Sequence, residues 1–391
     1  MAPIRVLIVD DSMVVRRILT DLLGRDESVQ VAGTAADGKI ALAKIEQLKP
    51  DLVTLDIEMP GMSGLETLAE IRKLYRRLPV IMFSTLTERG ASTTLEALSL
   101  GASDYATKPS NTGSQEATAQ KIKEELIPKI KALCGLRTRS QILSSVGPAI
   151  APQAPAWPGL RRTGQRIDVL AIGTSTGGPN ALMEVLPRLP ADLPVPVVLV
   201  QHMPPIFTRL LAERLDKTSG LSVREGVPGE KVVPGVVWIA PGDYHMTVEK
   251  GAKGICLAMN QDPPENSCRP AVDVLFRSVA RVYGGNVLAV VLTGMGSDGV
   301  LGSQQIREAG GHVIVQDEAS SVVWGMPGQV AAAGHADGIY PLEKVAEEIT
   351  RRIQHAAMVQ NSKIGAVSAQ PVRKPAEPPG SQSQQTVNRE D

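Results

Sequence analysis

Aromatic residues make up only 3% of this 391-residue chain, too few to build stacking platforms for single-stranded nucleic acid. Cysteine is equally scarce. Cys134, Cys256 and Cys268 share no C-x-x-C spacing, which argues against a disulfide framework or a zinc knuckle. No apolar run reaches the ~18 residues of a spanning helix, and the chain enters Ile4–Val9 directly, with no signal-peptide pattern. The expectation is a cytoplasmic protein that is not inserted in a membrane. Charge of one sign is missing as well: 41 Lys+Arg face 41 Asp+Glu. That balance excludes a protein that works by coating itself in nucleic acid or lying on an anionic membrane.

The balance is uneven along the chain. Residues 1–110 hold 13 basic and 15 acidic side chains, residues 111–166 hold 9 and 3, and residues 167–391 hold 19 and 23. The basic excess therefore lies between two mildly acidic regions. With 43% hydrophobic and 21% charged residues the chain is an ordinary globular sequence. Its length suits two or three domains at roughly 100–200 residues each.

Residues 4–110 alternate short apolar runs with amphipathic stretches, the pattern of a parallel sheet wrapped by helices. Strands are expected at Ile4–Val9, Val29–Ala32, Leu52–Leu55, Val80–Phe83 and Tyr105–Thr107, in a doubly wound, flavodoxin-like α/β fold. A further helix is expected at about Gln115–Cys134. Pro148, Pro152, Pro155 and Pro158 then mark a semi-stiff linker. A second parallel α/β pattern follows, with strands at Val169–Ile172, Val197–Val200, Val236–Ile239, Val287–Leu292 and Val313–Val315. The expected division is a first domain over 3–125, helix end and linker over 126–166, a second domain over 167–357, and a disordered Ser/Gln/Pro-rich tail over 358–391.

In a doubly wound sheet, chemistry collects at the carboxyl ends of the strands. Those ends in the first domain carry Asp10 and Asp11, Asp56, Ser84 and Lys108. Three converging carboxylates repel unless a cation neutralises them, and oxygen-only ligands suit Mg²⁺. A carboxylate beside such a cation and a lysine is placed to attack a phosphoryl group, with the Ser84 hydroxyl in reach of the product. Alone, each residue has a plainer role: a strand-end Asp as a cap or turn residue, Lys108 as a solvated loop lysine.

Together they carry a likeness. Val9-Asp10-Asp11-Ser12, Leu55-Asp56-Ile57-Glu58-Met59-Pro60-Gly61, Ser84 and Thr107-Lys108-Pro109 resemble the receiver domain of two-component response regulators. The resemblance implies Asp56 as phosphoacceptor and Asp10, Asp11, Asp56 and the Glu58 carbonyl as Mg²⁺ ligands. It also implies Tyr105 as a switch aromatic acting with Ser84 and Lys108.

In the second domain, Val169–Ile172 runs into Gly173-Thr174-Ser175-Thr176-Gly177-Gly178-Pro179. Three readings compete. A dinucleotide turn would want an acidic residue after the next strand, and that strand ends in Gln201-His202-Met203 instead. A structural turn would use Ser175 as a helix N-cap. A nucleophile turn, G-x-S-x-G, would project Ser175 above the sheet, where a hydroxyl needs a base and the base an orienting carboxylate. His202 and Asp298, after two neighbouring strands, supply both, and the glycines of Thr293-Gly294-Met295-Gly296-Ser297-Asp298-Gly299 leave N–H groups for an oxyanion hole. An ordinary α/β-hydrolase order, serine–acid–histidine, would call instead on His312 or His335; His312 opens a strand, His335 sits in a turn, and structural roles suit both better. His245 is a candidate for lining the pocket, and His355 lies near the tail.

Gly173–Pro179, Gln201-His202-Met203, Ala240–Met246, Arg269–Phe276 and Leu292–Gly299 resemble the catalytic domain of the chemotaxis protein-glutamate methylesterases. The resemblance implies Ser175 as nucleophile, His202 as base, Asp298 as its orienter and Met295 near the oxyanion. It implies hydrolysis of glutamyl methyl esters on chemoreceptors, with release of methanol, and in some members deamidation of receptor glutamines. A chemotaxis histidine kinase would be the phosphodonor and methylated chemoreceptors the substrate. The unphosphorylated receiver would block the esterase site, which itself needs no cofactor. One departure is visible: the family's Pro-Ser-Val-Asp, often preceded by a histidine, is here Cys268-Arg269-Pro270-Ala271-Val272-Asp273. Rival outputs were a DNA-binding element, which would need a basic helix-turn-helix, a non-enzymatic phosphate-binding adaptor, and a nucleotide-binding domain.

Overall fold

The computed structural model describes residues 2–108, 115–143, 166–252 and 254–368. The linker prolines, Pro109 and residues 369–391 lie outside the described residues. The first sheet contains β1 (Ile4–Val9), β2 (Val29–Ala35), β3 (Leu52–Asp56), β4 (Val80–Ser84) and β5 (Asp104–Thr107). Between them run α1 (Met13–Leu23), α2 (Gly38–Leu48), α3 (Gly64–Leu74) and α4 (Glu88–Ser99), and α5 (Gln115–Leu143) follows. The strands are parallel in the order β2-β1-β3-β4-β5, the flavodoxin-like topology whose switch point lies between β1 and β3. Asp10 and Asp56 stand at that point. Serine and threonine start these helices: Ser12, Ser63 and Thr87 each accept an N–H of the first turn, satisfying donors that the helix leaves unpaired.

The helix expected to end near Cys134 continues to Leu143, into the stretch assigned to the linker. Between Pro128 and Pro148 there is no proline to stop it, and Gly135 alone is a weak breaker.

The second unit contains β6 (Val169–Thr174), α6 (Gly178–Val185), β7 (Val197–Gln201), α7 (Phe207–Thr218), β8 (Ser222–Glu225) and β9 (Val236–Ile239). A hairpin of β10 (His245–Gly251) and β11 (Gly254–Asn260) follows. Then come α8 (Val272–Tyr283), β12 (Val287–Val291), α9 (Val300–Glu308), β13 (His312–Gln316), α10 (Met326–Ala332), β14 (Gly338–Tyr340) and α11 (Leu342–Ser368). Seven parallel strands form one sheet in the order β14-β13-β12-β6-β7-β9-β8. The central strands are buried on both faces, which is why they read as unbroken apolar runs. The edge strands β8 and β14 and the strand β10 have no such run, and these and β11, whose Ile255–Met259 run is apolar, fall outside the strands expected from the sequence. Helix α11 extends to Ser368, overturning disorder for 358–368. The sequence between Pro341 and Pro371 contains no proline, and only Gly365 interrupts its helix formers.

The two units touch. Tyr105 of β5 stacks on Phe207 of α7, ring centroids 4.8 Å apart and planes 9° from parallel. Glu88 of α4 pairs with Arg209 of α7 at 2.5 Å, and the Asn180 amide of α6 donates to the Ala102 carbonyl at 3.4 Å.

Candidate functional site

Two sheet edges carry chemistry. At the first, one carboxylate oxygen each from Asp10, Asp11 and Asp56 lies within 4.8 Å of the others. Asp10 and Asp56 are buried, while Asp11 is exposed. The Lys108 ammonium bridges them, 2.9 Å from Asp10 Oδ2 and 2.7 Å from Asp56 Oδ2. One cation against three carboxylates leaves the site short of positive charge. Burial pushes the Asp56 pKa up to about 6, with Lys108 opposing and Asp10 adding to the rise. An oxygen-only set of this kind fits a hard divalent ion. Glu58 joins through its backbone: its N–H donates to Asp56 Oδ1 at 3.3 Å, while its side chain points to Arg89 at 3.9 Å. Ser84 is turned away from Asp56, donating to the Gly90 carbonyl at 3.1 Å. Tyr105 is buried against Phe207, with the Lys129 ammonium 4.8 Å from its ring centroid.

The second edge is assembled by strand register. Gly173 of β6 lies beside Val291 of β12, and Thr174 beside Gln201 of β7. The chain therefore leaves three adjacent strands at one level. The Ser175 N–H donates to the Thr293 carbonyl at 3.1 Å, and the His202 N–H to the Thr174 carbonyl at 3.2 Å. Ser175, His202 and the loop leading to Asp298 are thereby held together. The helix N-cap is Gly177, with φ of 77° and no side-chain cap bond, so Ser175 does not cap α6 and the purely structural reading fails. Glycine at 177 is required twice over, because a Cβ there would also lie 2.5 Å from Val322 Cβ. The Gln201 side chain is buried and donates to the Ser175 and His202 carbonyls. It occupies the place where a ribose-binding acid would have to stand.

His202 Nε2 and Asp298 Oδ2 are 2.8 Å apart. Asp298 is buried and receives three further backbone donors, from Val272 at 2.6 Å, Asp273 at 2.9 Å and Gly299 at 3.0 Å. Val272 and Asp273 open α8, whose N-cap Ala271 has no capping side chain. Asp298 caps that helix from a distant loop, and the positive end of the helix favours its charge. Burial raises the Asp298 pKa, but the imidazole and these donors outweigh it and leave it lowered. Burial likewise pulls the His202 pKa down, and the Asp298 carboxylate and Cys268 sulfur override it and leave it raised. With Nε2 engaged by Asp298, Nδ1 is the nitrogen left to act on a proton, and here it is held by Cys268 Sγ at 3.4 Å, a contact that an incoming Ser175 hydroxyl would have to replace. No hydrogen bond joins Ser175 Oγ to His202 among the described residues. Met295 lies between Gly294, whose carbonyl accepts from Gly325 and Met326 N–H, and Gly296, whose φ is 89°.

The comparisons with known proteins match this division. A family model described as CheB methylesterase matches residues 170–349, and one described as response regulator receiver domain matches residues 6–119. A protein-glutamate methylesterase/protein-glutamine glutaminase of Trichodesmium erythraeum (strain IMS101) is 52% identical over 358 residues, covering 90% of this chain and 100% of that protein. The chain belongs to this family. A protein of the same name from Nocardioides sp. (strain ATCC BAA-499 / JS614) is 52% identical over 357 residues, covering 90% of this chain and 96% of its own. The crystal structure of the Thermotoga maritima CheB methylesterase catalytic domain is 43% identical, with a TM-score of 0.47, covering 47% of this chain and 98% of that one.

Within this CheB-type chain the other histidines have separate duties. His245 is buried with both nitrogens engaged, Nε2 to the Pro263 carbonyl at 3.2 Å and Nδ1 to the Ala271 N–H at 3.2 Å. It organises the loop before α8. His312 opens β13 and lies 3.7 Å from Asp337. Sequence reasoning gave no role to Asn266, Asp273 or Cys268, which surround the His202–Asp298 pair. Asp273 stood in the motif that carries the family likeness and Cys268 in the departure from it; Asn266 left no signal. The apolar cluster containing Phe83, Ala106 and Leu126 of the receiver extends to Val323, with Met295 and Val322 packed on it. Among the described residues, no helix is long and apolar enough to cross a membrane.

Proposed function

We propose that this chain hydrolyses glutamyl methyl esters on chemoreceptors, releasing methanol, and that phosphorylation of Asp56 releases that activity. Ser175 Oγ attacks the ester carbonyl while His202 Nδ1 takes its proton; the N–H groups around Met295 hold the tetrahedral oxyanion. His202 then protonates departing methanol and activates a water that frees the carboxylate. Asp298 stays ionised and fixes the tautomer. A receptor glutamine presents the same carbonyl with ammonia as leaving group, so the same residues serve deamidation. The observation that carries this reading is the His202–Asp298 pair beside a serine that caps nothing.

In the receiver, Asp10, Asp11, Asp56 and the Glu58 carbonyl would hold Mg²⁺, which supplies charge neutralisation for phosphoryl transfer from a histidine kinase. Asp56 is the acceptor and Lys108 its fixed counter-charge. A phosphate adds about −1.5 to −2 charge, drawing Ser84 from Gly90 and repacking Tyr105 away from Phe207. The unphosphorylated interface then holds the esterase edge closed, because Tyr105, Glu88 and the cluster reaching Met295 lie on it. The test is methanol release from methylated receptor peptides by the full chain, with and without a small phosphodonor and Mg²⁺. The expected result is faster release with the phosphodonor; equal rates would refute the regulatory half. Peptides bearing glutamine in place of the ester test ammonia release in the same assay.

A further inference from the structure

Asp298 does not stand alone behind His202. The Asn266 amide nitrogen lies 3.0 Å from Asp298 Oδ1 and 3.0 Å from Asp273 Oδ2, so one carboxamide bridges two carboxylates. Asp273 is 1% exposed, and its other oxygen accepts the Gly302 N–H at 2.6 Å, in the first turn of α9. The placement of Asn266 is built rather than incidental. It and Ser267 both adopt left-handed backbone, with φ of 52° and 62°, a region that asparagine tolerates better than most residues. Backbone bonds between Glu265 and Cys268 close the turn in both directions, at 3.1 and 2.9 Å. Arg277 of α8 clamps Glu265 through two bonds of 2.5 Å.

We propose that Asn266 and Asp273 are positioning residues for the ester hydrolysis: Asn266 locks Asp298 with Oδ2 turned to His202, and Asp273 adds a second negative charge that strengthens the hold on the imidazolium. The inference rests on the Ser175–His202–Asp298 reading and deepens it. An aspartate whose Oδ1 takes three donors, from Asn266, Asp273 N–H and Gly299 N–H, cannot rotate without stranding them. Two buried carboxylates joined by a neutral donor would otherwise repel, and one would give up its charge. Burial, assisted by the Asp298 charge, pushes the Asp273 pKa up, against the Gly302 and Asn266 donors that favour its ionised form. The groups that face it are Glu265 and Arg277 from the turn and α8, Asp298 and His202 from the sheet edge, and Cys268 and His245 beside the loop.

Positioning predicts a signature that a merely structural role would not give. The acid limb of kcat/KM reports deprotonation of the base in free enzyme. Asp273→Asn removes a negative charge at nearly constant shape, so the His202 pKa falls and the limb moves to lower pH, by roughly half a unit or more. Asn266→Asp puts a third carboxylate beside Asp298, so the limb moves to higher pH. Asn266→Ala removes one of the three donors on Asp298 Oδ1 while the Asp273 and Gly299 N–H groups remain; the loosened carboxylate lowers kcat by about tenfold, with KM unchanged. The experiment is the pH profile of methanol release by the phosphodonor-treated full chain of each variant, with Ser175→Ala as control. Opposite shifts of the two limbs establish the proposal. Limbs that coincide with the parent's, whatever the loss of activity, overturn it while leaving the Ser175 reading intact. Turnover surviving in Ser175→Ala would overturn that reading and the inference with it.

Discussion

The two sheet edges hold buried carboxylates in opposite ways. At the first, Asp10, Asp11 and Asp56 converge, one lysine pairs with Asp10 and Asp56, and the Asp56 pKa is pushed up to about 6, chiefly by burial. At the second, Asp298 is equally buried but takes an imidazole, three backbone N–H groups and an amide, and its pKa is lowered. Topology is the same, a parallel sheet with chemistry at its carboxyl end. What differs is the supply of donors. On the proposed function, the carboxylate that would accept a phosphoryl group is left short of them, and the one that would stay ionised through the reaction is saturated. Helix placement makes the difference: α8 and α9 both aim their N-termini at Asp298 and Asp273, whereas at the start of α1 the Val15 N–H goes to Ser12 and the Ser12 N–H to Asp10 Oδ1.

The largest expected effect breaks the second edge and spares the first. Ser175→Ala should lower ester hydrolysis by about 10⁴-fold or more, while a small phosphodonor still labels Asp56 to the same extent. Loss of both would mean that the two edges are not independent.

The interface that joins them comes next. Phe207→Leu removes the ring stacked on Tyr105 but keeps an apolar side chain, at a cost of about 0.5–1.5 kcal/mol to the contact. Basal methanol release without a phosphodonor should rise roughly three- to tenfold, and the fold-activation by phosphorylation should shrink accordingly. Unchanged basal release would separate the stack from the blockade.

A smaller effect sharpens the contrast in charge. Asp56 has its pKa raised on folding, so the folded chain binds a proton that the unfolded chain has lost between about pH 4 and 6. Stability at this site is full below the unfolded pKa and is lost as pH rises through about 6. Asp56→Asn should therefore stabilise the chain by about 1–2 kcal/mol at pH 7.5 without Mg²⁺, and by little at pH 4. Urea melts at the two pH values check this; equal gains at both would refute a charge origin. Arg209→Ala, which breaks an exposed pair with Glu88, should raise basal activity by less than about threefold, and added salt should erase the difference.

The first edge was legible in the sequence almost residue by residue. Asp10, Asp11, Asp56 and Ser84 lie at or just beyond the ends of apolar strands and Lys108 just beyond the short β5, and a receiver sheet of fixed order leaves little choice about where those ends meet. Ser175, His202 and Asp298 were legible for the same reason, each following a buried strand. The short edge strands β8 and β14 were not, because three or four residues have no period to read; the extensions of α5 and α11 follow from the lack of a proline to stop them.

What the sequence determined by itself was therefore the two parallel sheets and which side chains stand at their carboxyl ends. What only the tertiary structure decided were the partners that set how those side chains behave. Asn266 and Cys268 reach Asp298 and His202 through a left-handed turn between β11 and α8, Asp273 reaches Asp298 from the first turn of α8, and Tyr105 meets Phe207 from 102 positions away in the chain. Strand periodicity is local and writes itself into neighbouring residues. A hydrogen bond across a turn, or a ring stacked across a domain boundary, depends on how distant segments pack and leaves no local pattern.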